Sequence, residues 1–557
     1  MTDTSTLRSG GRILVDQLRI QGCDRIFTVP GESFLAVLDA LHDTPEIGVV
    51  VCRQEGGVAY MADADGKLTG RPGVAFVTRG PGATNASAGV HVAFQDSTPI
   101  ILFVGDLDRA DRDREGFQEV DMAAFFAPIA KWAARIDDAR RIPEYVARAW
   151  RVATAGRPGP VVLAIPEDML RDEVEALDRP PVPAVCESPD PGAIGALFEL
   201  LKDAAAPVAI VGGADWNPCA AHHFASFATR VGIPVAAAFR RQDAVANDCP
   251  VYAGNTGYGP NPKLTERIKA ADLLLVIGAR LGESTTDGYK LVTPDHPGQT
   301  LVHVHPDPNE LGRVYHADLP ICSDMGEFAQ VVDAWDDPDV LPFGAGAEAH
   351  REWLEWSEPQ PRDGVAMELG LAMKQLRDKL PADTIVCNGA GNFSGWVHRY
   401  WRYSAIPSQL APTSGTMGYG LPAAVAAATR FRDRQVLCVA GDGDFLMNGQ
   451  ELATAAQAGA DLLVMVVDNG SYGTIRMHQE RDYPERLSAT DLKNPDFATL
   501  ARAYGGWGVT VRRTEEFGRA LDDALSRKGI RLLHVLTDVE VISNQTTIAA
   551  LRDKARS

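Results

Sequence analysis

Two short apolar runs in the last third of the chain, residues 436–439 and 462–467, each stop abruptly at an oxygen-bearing side chain. The first halts at Gly441-Asp442-Gly443 and the second at Asp468-Asn469. Runs that are apolar at every position suit strands buried on both faces of a parallel sheet. Two such strands end at one sheet edge, which brings Asp442 and Asn469 to the same side. A carboxylate and an amide oxygen make a hard-oxygen set suited to Mg²⁺, an ion that keeps waters and takes phosphate oxygens. The flanking glycines let backbone amides approach a diphosphate closely. The stretch 440–473 is therefore expected to form a Mg²⁺–diphosphate clamp.

The same alternation fills the rest of the chain. Candidate strands in the first third are 25–29, 48–52, 74–78, 100–104 and 161–165, and between them segments such as 34–41 place Leu35, Leu38 and Leu41 on one helical face. The middle third repeats the pattern at 208–211, 273–277 and 301–304, and the last third at 385–387, 436–439, 462–467 and 532–536. Strands alternating with helices predict an α/β chain of doubly wound parallel sheets, with ligands beyond the carboxyl ends of the strands. At 557 residues the chain is too long for one core. Proline- and acid-rich stretches at 178–192 and 336–346 read as linkers. They set off three domains, 1–177, 193–335 and 350–545.

Composition removes several classes of function. A formal charge of −20 repels nucleic acid. The eight cysteines form no CxxC pair and mostly sit among apolar neighbours, so free core thiols are expected rather than disulfides or a zinc site. No apolar run reaches membrane-spanning length and no leader pattern opens the chain, which predicts a cytoplasmic protein without a membrane partner.

Other segments carry possible chemistry. Glu55 follows an apolar run and precedes two glycines. Such a carboxylate is either a proton-handling group among apolar neighbours or a helix N-cap. Thr78 to Asn85, TRGPGATN, runs from a strand through a Gly-Pro-Gly turn with backbone amides free to cradle a ligand. Asn388 to Trp396, NGAGNFSGW, is another strand-to-glycine loop, and Met417 stands between glycines in SGTMGYGL, where packing on a ligand explains it better than core filling. His222-His223 has no metal partner at useful spacing and is expected to be structural.

These segments together resemble the thiamine-diphosphate enzymes of the acetolactate synthase and 2-oxo acid decarboxylase superfamily, over nearly the whole chain and in that family's domain order: pyrimidine-binding, central Rossmann-like, diphosphate-binding. The Gly-Asp-Gly motif with its later Asn, the block at 53–85, and FLMNGQELAT at 445–454 carry the resemblance. It implies that Asp442, Asn469 and the backbone carbonyl of Ser471 hold Mg²⁺. Gly443, Asp444, Tyr472, Gly473, Asn392 and Phe393 would line the diphosphate. Met417 would wedge thiamine diphosphate into a bent shape, with the carbonyl of Gly415 accepting from its 4′-amino group. Gly31, Glu55, Asn85 and Gln118 would surround the pyrimidine or the reactive centre. The family architecture places Glu55 and the Gly-Asp-Gly clamp on different subunits, so a homodimer is the expected minimal active unit and a homotetramer the fuller assembly.

The resemblance implies decarboxylation of a 2-oxo acid followed by carboligation to a second carbonyl. Three positions depart from the synthase pattern: Glu32 replaces a usual glycine, Glu167 replaces the lysine of an LPKD segment, and His478, in IRMHQERDYPER, replaces a tryptophan. Glu32 reads equally as a proton relay of the decarboxylase type and as an N-cap for the 34–41 helix. The tandem histidines of pyruvate decarboxylases would fall near Gln95-Asp96 and are not there, whereas Gln118 in GFQEVD favours the synthase side. A non-ligating decarboxylase or C–C lyase, with Glu32 and His478 managing protons, is the alternative. A flavin oxidase holding FAD, resembling pyruvate oxidase, is the third, and a non-catalytic scaffold is opposed by the intact Glu55, Asp442, Asn469 and Met417.

Overall fold

The computed structural model describes residues 7–213, 215–295, 297–335 and 343–556. Three six-stranded sheets, parallel throughout, carry the expected α/β architecture of three doubly wound domains. They are distributed over two compact units.

The first unit runs to Val185 and also contains Val425–Arg430 and Gln450–Ala460. Its strand order is Gly48–Val51, Arg25–Thr28, Gly73–Val77, Ile100–Asp106, Pro160–Pro166, Trp132–Arg135. The order reverses between Arg25–Thr28 and Gly73–Val77, so the loops leaving these two strands diverge and leave a crevice at their carboxyl ends. Phe76 and Phe103 stack at 4.7 Å beneath that edge. Helix Glu55–Thr69 lies directly on the sheet: a side chain at Gly73 would meet the carbonyl of Ala62 at 1.9 Å.

The second unit holds the other two sheets. The central one is ordered Tyr252–Asn255, Val235–Ala237, Pro207–Val211, Leu273–Ile277, Thr300–His305, Leu319–Cys322. The last is ordered Gln409–Leu410, Ile385–Asn388, Val436–Gly441, Leu462–Asp468, Ile530–Leu536, Trp507–Val511. Its reversal falls between Ile385–Asn388 and Val436–Gly441, the strand that feeds the Gly-Asp-Gly turn.

Several expectations are corrected. The helical segment near 34–41 forms as Leu35–His42, but its buried face is Val37, Ala40 and Leu41, while Leu35 is 59% exposed. Phe34 takes the inward position instead, because a short 3₁₀ turn at Glu32–Phe34 rotates the helix start. Eight strands lie outside the expected set: Trp132–Arg135, Val235–Ala237, Tyr252–Asn255, Leu319–Cys322, Gln409–Leu410 and Trp507–Val511 in the three large sheets, and Arg8–Ser9 with Glu173–Val174, which pair antiparallel as a separate two-stranded sheet. Residues 178–190 have no regular structure and a helix begins at Pro191; most of the second expected linker, 336–342, lies outside the described residues. The cysteines are unpaired, five buried, with Cys186 and Cys219 exposed. His223 pairs with Asp333 at 2.8 Å. Among the described residues no helix is long and apolar enough to cross a membrane.

Candidate cofactor site

A cavity of about 250 Å³ opens in the second unit at the switch point of its last sheet. The loop after Ile385–Asn388 supplies Asn392 and Phe393, and the turn after Val436–Gly441 supplies Asp442, Gly443 and Asp444. Asn469, Ser471, Tyr472 and Gly473 follow the neighbouring strand, and Gly415 and Met417 close another side. The eleven residues that the sequence assigned to metal, diphosphate and wedge thus line one hollow.

Backbone geometry explains the glycines. A Cβ on Gly443 would stand 2.6 Å from the Tyr472 ring, and one on Gly441 would stand 2.9 Å from Phe393. Gly415 has φ +68°, a left-handed value that suits glycine. Helices begin at Asp442 and at Gly473, the residue before each makes no side-chain cap bond, and their first residues line the cavity.

Asp442 and Asp468 share one donor. Asn494 Nδ2 lies 2.7 Å from Asp442 Oδ2 and 2.8 Å from Asp468 Oδ1, and His534 Nε2 lies 2.9 Å from Asp468 Oδ2. Burial, with the negative Asp468 adding to it, pushes Asp442 up to about 6. Burial acts to raise Asp468 as well, but donation from His534, Asn494 and the Gly470 amide keeps it below the usual carboxylate range. Asn469 Oδ1 accepts from the Ser471 amide at 3.1 Å, and Ser471 Oγ donates to the Thr490 carbonyl at 3.0 Å. These bonds fix the turn that carries the amide oxygen beside the carboxylate.

Asp444 does more than line the wall. Its Oδ1 accepts from the amides of Gly418 at 2.8 Å and Ala390 at 3.2 Å, so it ties the Met417 loop to the Asn392 loop. Burial pushes it up to about 7, and its Oδ2 is buried with no hydrogen-bond partner. Asn392 is anchored through Nδ2 to the Ile542 carbonyl at 2.9 Å, and its Oδ1 accepts from Thr474 Oγ1 at 2.9 Å.

In the first unit, Glu55 is the first residue of helix Glu55–Thr69 and not its cap. Gln54 caps the helix, its Oε1 accepting from the amides of Gly56 at 2.6 Å and Gly57 at 3.2 Å. Glu55 Oε2 accepts from Asn85 Nδ2 at 3.0 Å. The turn before it is held by buried Glu451, which accepts from the Arg53 amide at 3.1 Å. Sequence reasoning missed Glu451, Asn494 and His534; Glu451 stood in the quoted GQELAT run, whereas Asn494 and His534 carry no local signal.

Glu32 is not the cap of the helix near 34–41 either: helix Leu35–His42 has Phe34 at its N-cap position, with no side-chain cap bond, and Glu32 begins the 3₁₀ turn before it. The Glu32 carboxylate lies instead 3.4 Å from Arg79 Nη2. A side chain on Gly31 would meet Thr78 at 2.7 Å, so this loop packs closely on the strand end. Gln118 has φ +64° and lines a separate hollow of about 660 Å³ with Asp106, Arg112, Glu119 and Arg135. His478 is exposed on helix Gly473–Asp482 and does not line the cofactor cavity; Gly473, Thr474 and Ile475 of that helix do. Among the described residues no group of three or more His, Cys, Asp and Glu could hold a metal ion, so any metal here relies on amide and backbone oxygens beside Asp442.

Comparison with known proteins gives three family matches in chain order. Residues 8–125 match the thiamine pyrophosphate enzyme N-terminal TPP binding domain, 194–332 the central domain and 389–535 the C-terminal TPP binding domain. The acetolactate synthase large subunit of Parasynechococcus marenigrum (strain WH8102) is 33% identical over 537 residues, covering 93% of this chain and 85% of that protein. The acetolactate synthase isozyme 2 large subunit of Escherichia coli (strain K12) is 30% identical, covering 95% of this chain and 96% of that protein. The acetolactate synthase of Arthrospira platensis is likewise 30% identical, at 95% and 94% coverage.

Proposed function

Because the chain belongs to the thiamine pyrophosphate enzyme family and is an acetolactate synthase-like enzyme acting on C–C bonds, we propose that it uses thiamine diphosphate and Mg²⁺ to decarboxylate a 2-oxo acid and join the remaining acyl carbon to a second carbonyl. The observation that carries this reading is the cavity where Asp442, Asn469, Gly443 and Met417 converge.

The residues there fit the group. Asp442, Asn469 and the Ser471 carbonyl offer the hard-oxygen donors that Mg²⁺ takes. The cradle that a Cβ at Gly443 would fill, and the two uncapped helix starts, suit a diphosphate. When bound, thiamine diphosphate supplies a carbon nucleophile and an electron sink for the loss of CO₂. Met417 would prop the cofactor from the side, and the carbonyl of Gly415 would accept from its amino group. Glu55, kept in place by Asn85, would hold a proton at the pyrimidine ring nitrogen and so set the cofactor's tautomer. Gln118 and Glu32 would face the second substrate. A homodimer, with Glu55 of one subunit serving the cavity of the other, is the active unit in this reading, and a homotetramer its fuller form.

The test is a panel of 2-oxo acids with thiamine diphosphate and Mg²⁺, read by CO₂ release and by mass spectrometry of products. Cofactor-dependent CO₂ release with a carboligation product is expected; no release from any 2-oxo acid overturns the reading. Release with free aldehyde as the sole product favours a non-ligating decarboxylase, for which the Glu32–Arg79 contact is the specific support. Flavin absorbance in the purified protein would favour the FAD-holding oxidase.

A further inference from the structure

The loops that carry Asn392 and Met417 are held from behind by a side chain of the central sheet that no sequence motif marks. Arg240 lies three residues beyond strand Val235–Ala237, is 4% exposed and does not line the cofactor cavity. Its Nη2 donates to the carbonyl of Gly389 at 2.9 Å, and its Nη1 donates to the carbonyl of Pro412. The ring of Phe239 lies against the guanidinium, with its centroid 5.0 Å away.

Both carbonyls belong to groups that shape the cofactor site. The Gly389 carbonyl and the Ala390 amide are two ends of one peptide group, and that amide donates to Asp444 Oδ1 at 3.2 Å. One peptide thus stands between a buried guanidinium and a buried carboxyl group. It has no room to shift toward the acid, since a Cβ on Gly389 would stand 2.0 Å from Asp444 Oδ1. The Pro412 carbonyl also accepts from the Gly415 amide at 3.1 Å, closing the turn in which Gly415 takes φ +68°. Three residues on, the Gly418 amide donates to the same Asp444 Oδ1 at 2.8 Å. Hydrogen bonds and chain together close a ring through Arg240, Gly389, Asp444, Gly418, Gly415 and Pro412, with Met417 carried on its rim.

The chemistry of the side chain suits this task. A guanidinium presents its donors in one rigid plane, so a single group reaches two carbonyls on separate loops. Bonds from a charged donor are roughly twice as strong as neutral ones. Arg240 also takes φ +61°, which costs a non-glycine residue energy and persists only where neighbouring contacts fix it. Those contacts are adjacent. The Gln242 amide donates to Gln409 Oε1 at 2.6 Å, and Asp243 Oδ2 accepts from the amides of Ser408 at 3.0 Å and Gln409 at 3.1 Å. The backbone after Arg240 is therefore fastened to strand Gln409–Leu410 without help from the Arg240 side chain.

Building on the thiamine diphosphate reading above, on which this inference rests, we propose that Arg240 is a positioning residue: through Gly389 and Pro412 it sets both the loop that would hold the diphosphate and the loop that would hold the aminopyrimidine. The first effect runs through Asn392 and the second through Gly415 and Met417. Cofactor retention and reactive geometry then depend on one guanidinium of the central domain, so its loss moves affinity and turnover together. A side chain that only stabilised the fold would loosen strand Gln409–Leu410 along with the two loops.

The test compares the full-length wild type with Arg240→Gln and Arg240→Lys. Calorimetric titration of each apoprotein with thiamine diphosphate in Mg²⁺ is expected to show affinity lowered about tenfold or more in Arg240→Gln. Arg240→Lys keeps a charge but not the two-pronged plane, and about a threefold loss is expected there. At saturating cofactor, kcat for CO₂ release in Arg240→Gln is expected to fall by about 10–100-fold, as for a misplaced reacting group. Hydrogen exchange of the apoprotein is expected to accelerate at 389–393 and 413–418 and to keep its wild-type rate at 408–410. Arg240→Gln combined with Asp444→Ala is expected to lose less affinity than the product of the two single losses, because both side chains act on one peptide. Affinity within twofold of the wild type, unchanged turnover, exchange accelerated equally in all three segments, or losses that simply multiply each overturns the proposal. If Arg240→Gln does not fold, the affinity and exchange pattern of Arg240→Lys decide on the same terms. A wild type that binds no thiamine diphosphate overturns the proposed function as well; wild-type binding that the Arg240 variants leave unmoved overturns only the role argued here.

Discussion

Asn85 donates to Glu55 across 3.0 Å, tying the carboxylate that begins one helix to the second turn of the next. Glu55 is thus oriented by a side-chain amide, and Gln54 does the capping that would otherwise engage it. Replacing the carboxylate leaves the helix cap intact, so Glu55→Gln should lower kcat by about 10²–10⁴-fold. Asn85→Ala removes one hydrogen bond to a charged group and should cost roughly tenfold or somewhat more. Steady-state kinetics, with thiamine diphosphate affinity measured calorimetrically, checks both. Glu55→Gln with wild-type turnover would remove Glu55 from the mechanism.

The clamp predicts a different pattern. Asp442→Ala removes the charged oxygen donor and should weaken Mg²⁺-dependent retention of the cofactor by at least ~100-fold. Asn494 touches Asp442 and Asp468 but does not line the cavity, so Asn494→Ala should weaken it about 10–100-fold, the range for a partner that orients a ligand. Titration of apoprotein with cofactor in Mg²⁺ and in EDTA measures this. Equal affinity in wild type and Asp442→Ala would refute the clamp.

Most of the strands that the sequence revealed are buried on both faces; Gly48–Val51, a half-exposed edge strand, is the exception. Leu273–Ile277 and Leu462–Asp468 are buried at every residue, and short all-apolar runs of that length, rich in β-branched residues, favour a strand. Most of the missed strands stand at sheet edges, where one side has no partner strand: Trp132–Arg135, Tyr252–Asn255, Leu319–Cys322, Gln409–Leu410 and Trp507–Val511. There the pattern is diluted by half-buried or polar residues, as in WAAR, or by a proline, as in LPIC. Site residues followed the same logic. Asp442 and Asn469 sit where apolar runs stop, which is a local signal. Asn494 reaches Asp442 from another loop, and Arg79 meets Glu32 and Glu167 only because three strands end at one edge. Nothing in linear spacing records such a meeting.

Arg430 offers a stability test within the first unit. It makes paired contacts with Asp65, at 2.8 and 2.9 Å, and with Asp24, at 2.8 and 2.9 Å. Asp65 is 5% exposed, whereas nearly half of the Asp24 side chain is open, so most of the effect belongs to Asp65. Arg430→Ala leaves a buried carboxylate unpaired and should cost about 3 kcal/mol in the unfolding transition of this unit. Adding Asp65→Asn should recover much of that loss. Additive losses in the double variant, measured by denaturant titration, would show that the pair is not coupled.

The central sheet predicts how stability responds to acid. His305 is 3% exposed, and its Nδ1 accepts from the Asp307 amide at 3.0 Å, a bond that requires the nitrogen to be unprotonated. Burial, with the neighbouring His303 adding to it, lowers His305 to about 4, and burial lowers His303 too. Since the folded value lies below the unfolded value near 6.5, the unfolded chain binds more protons between those limits. The contribution of His305 is therefore fully present above about pH 6.5 and is lost as pH falls toward 4, about 3 kcal/mol over that window for His305 alone. His305→Gln, which keeps an acceptor and removes the titration, should flatten the fall in stability between pH 6.5 and 4. Denaturant midpoints taken every half pH unit test it, and a variant whose midpoint falls as steeply as the wild type would assign the acid sensitivity to other groups.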